Sequence, residues 1–193
     1  MSSGDKPSTT GATRHPPVLE TPRLVLRPLT LEHLEPAHRL WTEPGVRRYL
    51  WDDEIITPER ARLPLSGSEA DFAVHGFGLW GVYRPDDAQL IGFSGLRQAD
   101  IVPEPELLFG LTESEWGRGL AREASSAVLQ FGFEKLRLPV IGAATDRPNQ
   151  PSVKLLARLG FQAAGETRIG GLDTLLFRLA GEEWRQLSVM VGS

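Results

Sequence analysis

The stretch WGRGLAREA (Trp116–Ala124) places two glycines around an arginine, directly before a run of helix-forming residues. The glycines lie where a strand is expected to lead into a helix. Main-chain N–H groups at a helix start have no intrahelical partner and lie at the positive end of the helix dipole. Without Cβ atoms, the glycines would let a phosphate oxygen reach those amides, and Arg118 would add positive charge. The same residues also suit a plain turn that needs positive φ angles, so both interpretations stay open here.

The composition indicates one soluble domain. The chain has 193 residues, a formal net charge of -4 and 40% hydrophobic residues. A slightly acidic chain argues against nucleic acid or an anionic membrane surface as the main partner. No apolar run reaches the roughly 18 residues of a membrane span, and the start of the chain lacks the pattern of a signal peptide. The absence of cysteine excludes disulfides, thiolate metal sites and a cysteine nucleophile. We therefore expect a cytoplasmic protein without a metal.

The chain divides into a tail and one domain. Residues 1–17 are rich in Ser, Thr, Gly and Pro, which predicts a disordered N-terminal tail, and residues 18–193 are expected to form a single domain. Helices are expected to begin near Thr30, where Pro36 should kink or shorten the helix, and at Thr57. Further helix patterns cover 120–136 and 149–160. Strand patterns cover 23–29, 77–84, 89–97, 106–112, 139–145, 161–168 and 173–179. About seven strands with interspersed helices indicate a mixed α/β fold.

Three familiar motifs do not fit the chain. A P-loop needs Gly, four residues and then Gly-Lys-Ser/Thr, and no such string occurs. A dinucleotide-binding fingerprint needs a third small residue where Arg122 stands, in an early βαβ unit. A serine hydrolase needs Gly-x-Ser-x-Gly, which the stretch Gly92–Gly95 does not match.

A fourth pattern fits in three places. The run ELLFGLTESEWGRGLAREA (Glu106–Ala124) resembles the GNAT superfamily of acyl-CoA-dependent N-acetyltransferases, above all the branch of ribosomal-protein N-terminal acetyltransferases (RimJ/RimL-like). That family's signature is Gln/Arg-x-x-Gly-x-Gly/Ala, and Trp116–Ala121 carries its Gly and Ala, with Trp in the leading place. The segment Asn149–Phe161, with N-x-x-S and then LGF, and the opening strand LETPRLVLRPLT (Leu19–Thr30) resemble two further parts of the same family.

The resemblance implies a fold and an activity. The fold is a mixed α/β GNAT fold with a central, mostly antiparallel mixed sheet of about seven strands, splayed between the fourth and fifth and flanked by helices. The activity is direct transfer of an acetyl group from acetyl-CoA to a primary amine in a ternary complex. The acceptor would be a peptide N-terminus or a small-molecule amine, and the protein a monomer or homodimer. A non-catalytic acyl-CoA sensor with the same fold is the alternative.

The resemblance also implies a binding site for coenzyme A. Its pyrophosphate would lie on the main-chain amides of Gly117 to Ala121, and its pantetheine arm would lie between strands 106–112 and 139–145. From the residues alone, Asn149 and Ser152 are better explained as an ordinary helix cap and first-turn serine. The cofactor-binding residues implied are Phe109 and Leu111 through their main chains, Trp116, Gly117, Arg118, Gly119, Leu120, Ala121, Arg122, Asn149 and Ser152.

Catalysis requires a base, because most alkyl amines are protonated at pH 7. By resemblance, Glu106 at the start of the central strand is the base, although a solvated residue at a strand start is an equally good interpretation. Glu104, two residues earlier on the same face of an extended strand, is the reserve candidate and could contact the substrate. Many members of the superfamily use a tyrosine to protonate the leaving thiolate, and Leu156 stands at that position. Ser152 or a water molecule could serve instead, or the thiolate could leave unassisted.

The acceptor is expected to bind near VRRYLWDDE (Val46–Glu54). Tyr49 and Trp51 could wall an apolar groove, and the three acidic residues 52–54 could attract a cationic amine. A solvated acidic turn with a partly buried tryptophan explains the same residues. The sequence does not discriminate between a peptide N-terminus and a small amine.

Overall fold

The computed structural model describes residues 16–98 and 102–191, with side chains as far as residue 187. The predicted tail, residues 1–17, lies outside the described residues except for Pro16 and Pro17.

An eight-stranded sheet of order β1-β2-β3-β4-β5-β6-β8-β7 forms the centre of the molecule. The strands are Leu19–Glu20 (β1), Val25–Pro28 (β2), Leu79–Tyr83 (β3), Gly92–Arg97 (β4), Glu106–Leu111 (β5), Val140–Asp146 (β6), Gln162–Ile169 (β7) and Leu172–Ala180 (β8). The α-helices are Leu34–Trp41 (α1), Pro44–Leu50 (α2), Pro58–His75 (α3), Leu120–Gln130 (α4), Gln150–Arg158 (α5) and Gly181–Val191 (α6).

The sheet opens between β5 and β6. Strands β1 to β5 pair antiparallel with their neighbours, and β6 pairs antiparallel with β8 along its whole length. Between them, β5 and β6 are parallel and meet at a single residue pair, Glu106 with Gly142. These are the strands that were expected as fourth and fifth; the short β1 moves their numbers up by one. The predicted splayed, mixed α/β sheet is therefore confirmed.

The two faces of the sheet carry separate apolar cores. One core packs α4 and α5 against the sheet and contains Leu107 and Leu111 of β5. The other core packs α1, α2 and α3 against the opposite face, and Leu108 contacts it. Because side chains of a strand alternate between faces, Glu106 lies on the face of Leu108, which is the face covered by α1 to α3.

Pro36 was expected to kink or shorten the first helix, and the α-helix is short: a 3-10 turn, Leu31–His33, follows Thr30, and α1 begins only at Leu34. The other helices differ from the prediction in three places. The predicted helix over 120–136 is present, but its last part, Phe131–Lys135, is a π-helix. Helices α2 and α6 were not predicted. Helix α2 has seven residues and buries only Val46, too little to give a helical pattern of apolar residues.

The segment before β2 is tied to the first turn of α4 by a cluster of hydrogen bonds. Thr21 Oγ1 and Arg23 N–H donate to Glu123 Oε1 at 2.6 and 2.9 Å, and Arg23 Nε donates to Glu123 Oε2 at 2.6 Å. The same guanidinium donates to the main-chain oxygen of Arg118 at 3.0 Å. These hydrogen bonds connect two stretches about one hundred residues apart in sequence and stabilise the turn before α4.

The hydrogen bonds change the acidity of Glu123. Burial alone would raise the pKa of this carboxyl, but the hydrogen bonds from Thr21 and Arg23 outweigh burial and leave its pKa lowered. A carboxyl whose pKa is lowered by folding adds to the free energy of unfolding. This contribution is complete at a pH above the pKa of the unfolded chain, 4.5, and it is lost as the pH falls through the lower pKa of the folded protein.

Replacing Glu123 with Gln should therefore destabilise the fold at neutral pH and reduce the loss of stability in acid. We expect the free energy of unfolding to fall by about 2 kcal/mol, or roughly 4–8 °C in Tm, because charge-assisted hydrogen bonds are lost. Thermal melts between pH 3 and pH 7 measure both effects. The control is Glu35→Gln, which removes an exposed carboxylate paired with Arg39. Equal melts for wild type and E123Q at pH 7 would contradict the role given to this cluster.

Candidate active site

A cleft of about 1480 Å³ lies between the diverging strands β5 and β6. It brings together twelve residues predicted for the site, while Trp51, Glu104 and Arg118 are not among the described residues that line it. The roles of all these residues in binding and catalysis stay predictions. The predicted residues that line the cleft are Tyr49, Glu106, Phe109, Leu111, Trp116, Gly117, Gly119, Leu120, Ala121, Arg122, Asn149 and Ser152.

The main chain of β5 faces the cleft at every second residue. The N–H of Thr112, just after β5, donates to the oxygen of Ile91, just before β4, and the oxygen of Pro105 accepts from the N–H of Gly142 in β6. In an antiparallel strand, successive residues direct their main-chain groups to opposite sides. The N–H and C=O groups of Phe109 and Leu111 therefore point toward β6, beyond the single residue pair that joins the two strands. An extended ligand would find main-chain partners there.

The turn before α4, residues 116–120 (the glycine turn), has the geometry that requires glycine. Gly117 and Gly119 have φ angles of 73° and 77°, in the left-handed region that favours glycine. A Cβ atom added to Gly117 would meet no atom within 4 Å, so its place is open space facing the turn. The first amides of α4 have no intrahelical partners. The turn thus combines open space with free N–H donors, as an anion site needs.

Trp116 connects the glycine turn to β5 and to α2. Its indole N–H donates to the oxygen of Leu111 at 2.8 Å, so one of the main-chain groups facing the cleft already has a partner. The ring edge lies 2.5 Å from the position that a Cβ of Gly45 would take. Half of Trp116 is exposed.

Arg118 and Arg122 were candidates for a phosphate contact, Arg147 is a further arginine near the start of α5, and the structure separates the three. Arg118 pairs with Glu115 at 2.9 Å, and Arg147 pairs with Glu166. Arg122 is exposed, lines the cleft and makes no ion pair or side-chain hydrogen bond within the described part of the chain. Arg122 is therefore the guanidinium beside the glycine turn that is available to a ligand.

Asn149 and Ser152 form an ordinary helix cap, as the residues alone allowed. The side-chain oxygen of Asn149 accepts from the N–H of Ser152 at 3.3 Å at the start of α5. Both residues also line the cleft. Leu156, at the position where the resemblance places a tyrosine, is buried one turn further along α5 and lines the same cleft.

The two candidate bases have different surroundings. Glu106 is 4% exposed and accepts at Oε2 from Arg97 Nε at 2.8 Å. Its other oxygen, Oε1, makes no hydrogen bond within the described residues. Glu104 pairs instead with Arg178 at 2.5 Å and is not among the residues lining the cleft. The structure therefore places Glu106 in the cleft and Glu104 beside it.

The two aromatic residues predicted for the acceptor groove are also separated. Tyr49 lines the cleft, with its hydroxyl 3.5 Å from the main-chain oxygen of Pro148 on the opposite rim. Trp51 packs into the core under α1, with its ring centroid 6.2 Å from that of Trp41, and the guanidinium of Arg60 lies over its other side. Trp51 therefore packs against the core and is not among the residues that line the cleft.

The sequence analysis missed Asp146, which lines the cleft at the end of β6. Burial raises the pKa of its carboxyl, and the nearby charge of Asp52 raises it further, against a hydrogen bond from Thr174 at 3.4 Å. Asp52 also lines the cleft, in a left-handed conformation with φ of 51°. Alternation along β6 puts Asp146 on the face of Gly142, but only the strand register of the structure shows that Gly142 lies opposite Glu106.

The described residues form neither a metal site nor a membrane-spanning helix. In the ranges 16–98 and 102–191, no three His, Asp or Glu side chains gather in a way that would hold a metal ion. Nor does any helix in those ranges have the length and apolar character needed to cross a membrane.

The chain is similar to proteins of one family. A family model of the acetyltransferase (GNAT) domain matches residues 23–162. The protein named uncharacterized N-acetyltransferase YoaA, from Bacillus subtilis (strain 168), is 31% identical over 153 residues, which cover 79% of this chain and 86% of YoaA. A solved structure from Bordetella pertussis, described as a GnaT-family acetyltransferase, has a TM-score of 0.73 at 27% identity and covers 85% of this chain and 99% of its own.

A third similarity concerns the fold alone. RimL, described as the ribosomal L7/L12 alpha-N-protein acetyltransferase and solved in complex with coenzyme A, has a TM-score of 0.70 at 16% identity. The alignment covers 85% of this chain and 98% of RimL. Enzymes of the GNAT family use acetyl-CoA as the acetyl donor. With the splayed sheet, the glycine turn and the matching family model, the resemblance first drawn from three motifs is confirmed, and the chain belongs to the GNAT family of N-acetyltransferases.

Proposed function

We propose that the protein transfers an acetyl group from acetyl-CoA to a primary amine directly, within a ternary complex, with Glu106 as the general base. The observation that carries this proposal is the position of Glu106. Its buried carboxylate lies at the one residue pair where β5 and β6 meet, on the face covered by α1 to α3, with one oxygen free of hydrogen bonds to the described residues.

The cofactor site is assigned to the opened strands and the glycine turn. Acetyl-CoA, as the cosubstrate, supplies an acetyl group activated as a thioester. The amides of Gly117 to Ala121 and the guanidinium of Arg122 would hold its pyrophosphate. The main-chain groups of Phe109 and Leu111 would pair with the pantetheine arm, and a main-chain N–H of β5 would stabilise negative charge on the carbonyl oxygen.

The acid–base chemistry follows from the groups in the cleft. An ammonium must lose a proton before its nitrogen can attack, and Glu106 would accept that proton directly or through one water. The C–N bond then forms while the C–S bond breaks, and the attacking nitrogen gives up its second proton, which passes to the leaving thiolate. The thiolate of CoA, with a thiol pKa near 8.5, is a fair leaving group, and Ser152 or a water would protonate it. With no cysteine in the chain, no thioester on a cysteine can form.

The acceptor is proposed to be a cationic amine with a second positive charge. Asp52 and Asp146 line the cleft on the face of Glu106, and no described arginine or lysine pairs with either. Asp146 lies four residues along β6 from Gly142, about 13 Å from the level of Glu106 at the rise of an extended strand. A linear di- or polyamine would reach both ends, and so would a peptide with a basic side chain near its N-terminus.

Replacing Glu106 with Gln should lower kcat at least tenfold, because the base is lost, while the Kd of acetyl-CoA changes little. Release of free thiol from acetyl-CoA measures the rate, and the cysteine-free chain adds no background. The matched control is Glu104→Gln, which removes a carboxylate beside the cleft and should leave kcat within about twofold. A rate that E106Q leaves unchanged across the pH range would remove Glu106 as the base.

Replacing Gly117 with Ala should abolish the thermal stabilisation by CoA. In the wild type, acetyl-CoA or free CoA at about 100 times its Kd should add roughly 2.7 kcal/mol, or about 5–10 °C in Tm, and NAD should add nothing. The control is Gly171→Ala in the β7–β8 hairpin. Gly171 has a φ of 88° and equally open space at its Cβ, so its replacement has the same backbone cost but lies away from the glycine turn. Equal CoA shifts in both variants would place the pyrophosphate elsewhere.

Replacing Asp146 with Asn should raise KM about tenfold for a linear diamine or polyamine and leave KM for a monoamine of equal length within twofold. The reason is that the aspartate is proposed to attract only the distal charge. Asp173→Asn, which changes an exposed carboxylate on β8, is the control. A rise in KM for both amines alike would show that Asp146 does not recognise a second charge.

A further inference from the structure

A row of charged residues crosses the sheet at the point where the cleft begins. The strand registers place Arg97 opposite Glu106, Glu106 opposite Gly142, and Gly142 opposite Arg178. Glu104 reaches over this row and pairs with Arg178. Two ion pairs, Arg97–Glu106 and Glu104–Arg178, therefore flank a glycine.

Gly142 lies between the two ion pairs and leaves room for the segment before β5. A Cβ atom at this position would lie 3.0 Å from Val102 Cγ2 and 3.7 Å from Glu104 Oε2, so the missing side chain leaves room for the segment before β5. Glu104 can then lie against β6 and use Arg178. Arg97 is thus the cation that pairs with Glu106 within the described residues.

The geometry of Arg97 is fixed by its own neighbours. It ends β4 directly opposite Glu106, where cross-strand Cβ atoms are about 5 Å apart. The next residue, Gln98, donates its N–H to Asp71 Oδ2 on α3 at 3.2 Å, which anchors the end of the strand. The guanidinium contacts Oε2 of Glu106 and leaves Oε1 without a described partner.

We infer that Arg97 is a positioning residue: it holds the Glu106 carboxylate in one orientation, with Oε2 occupied and Oε1 directed to the acceptor amine. The inference rests on the proposed role of Glu106 as the base. A buried carboxylate without a cation partner would be costly, and one with two mobile oxygens would spend less time aligned for proton transfer. Arg97 is 41% exposed, and both members of the pair line the cleft.

A double-mutant cycle tests this inference. The variants are Arg97→Gln, Arg97→Lys, Glu106→Gln and the double variant R97Q/E106Q, each assayed by thiol release at saturating amine. We expect R97Q to lower kcat about tenfold with KM for acetyl-CoA within twofold of wild type, and R97K to recover part of the loss. In the E106Q background, R97Q should change kcat less than twofold, because Arg97 acts only through Glu106. Arg178→Gln, which breaks the other ion pair of the row, should leave kcat within twofold.

The outcomes separate the inference from the proposed function. If E106Q lowers kcat but R97Q lowers it equally with and without Glu106, Arg97 acts independently and the inference is overturned while the base stands. If E106Q leaves kcat unchanged, the proposed base and the inference both fall. Should R97Q not fold, R97K and R97K/E106Q complete the cycle, because neither leaves a buried carboxylate without a cation. In that cycle, the inference is supported if R97K lowers kcat only when Glu106 is present. It is overturned if R97K lowers kcat by the same factor in the E106Q background.

Discussion

The structure depends on a pair of parallel strands that part after one residue pair. Main-chain N–H and C=O groups are strong hydrogen-bonding groups, and a sheet normally satisfies them with a neighbouring strand. Beyond Glu106 and Gly142, β5 and β6 do not provide this for each other. The indole of Trp116 satisfies one carbonyl, that of Leu111. The other main-chain groups along this edge of β5 face the cleft without a partner strand.

The same opening divides the site between the faces of the sheet. The glycine turn and α4 belong to the face with the larger core, while Glu106 and Asp146 project toward α1 to α3 by the alternation of their strands. A donor lying in the gap and an acceptor approaching from the helical face would therefore meet at Glu106. The cluster of Thr21, Arg23 and Glu123 holds the turn from behind and does not enter the cleft lining.

Local patterns predicted most of the fold and most of the residues that line the cleft at the glycine turn, whose role in binding a cofactor stays a prediction. The glycines at 117 and 119, the cap at Asn149 and the alternating strands are set by residues near one another in sequence, so they could be read without a structure. Helix α2 could not, because contacts to distant residues hold it, such as Glu43 accepting from Thr112 at 2.7 Å. Asp146 and Arg97 were missed for the same reason: their importance comes from strand register. Trp51 packs on a core and is not among the residues that line the cleft, and the sequence does not say which aromatic side chain at the end of a short helix turns to the core.

The position of Trp116 gives the molecule an optical property. Trp116 is the most exposed of the five tryptophans: Trp41 and Trp80 are buried, Trp51 and Trp184 are partly covered, and half of Trp116 faces solvent at the glycine turn. Indole emission moves to shorter wavelength and changes intensity when water is displaced from the ring. Any ligand that settles on the turn would act on this one ring and leave the others in place. The intrinsic fluorescence of Trp116 can therefore report ligand binding at the mouth of the cleft without an added dye.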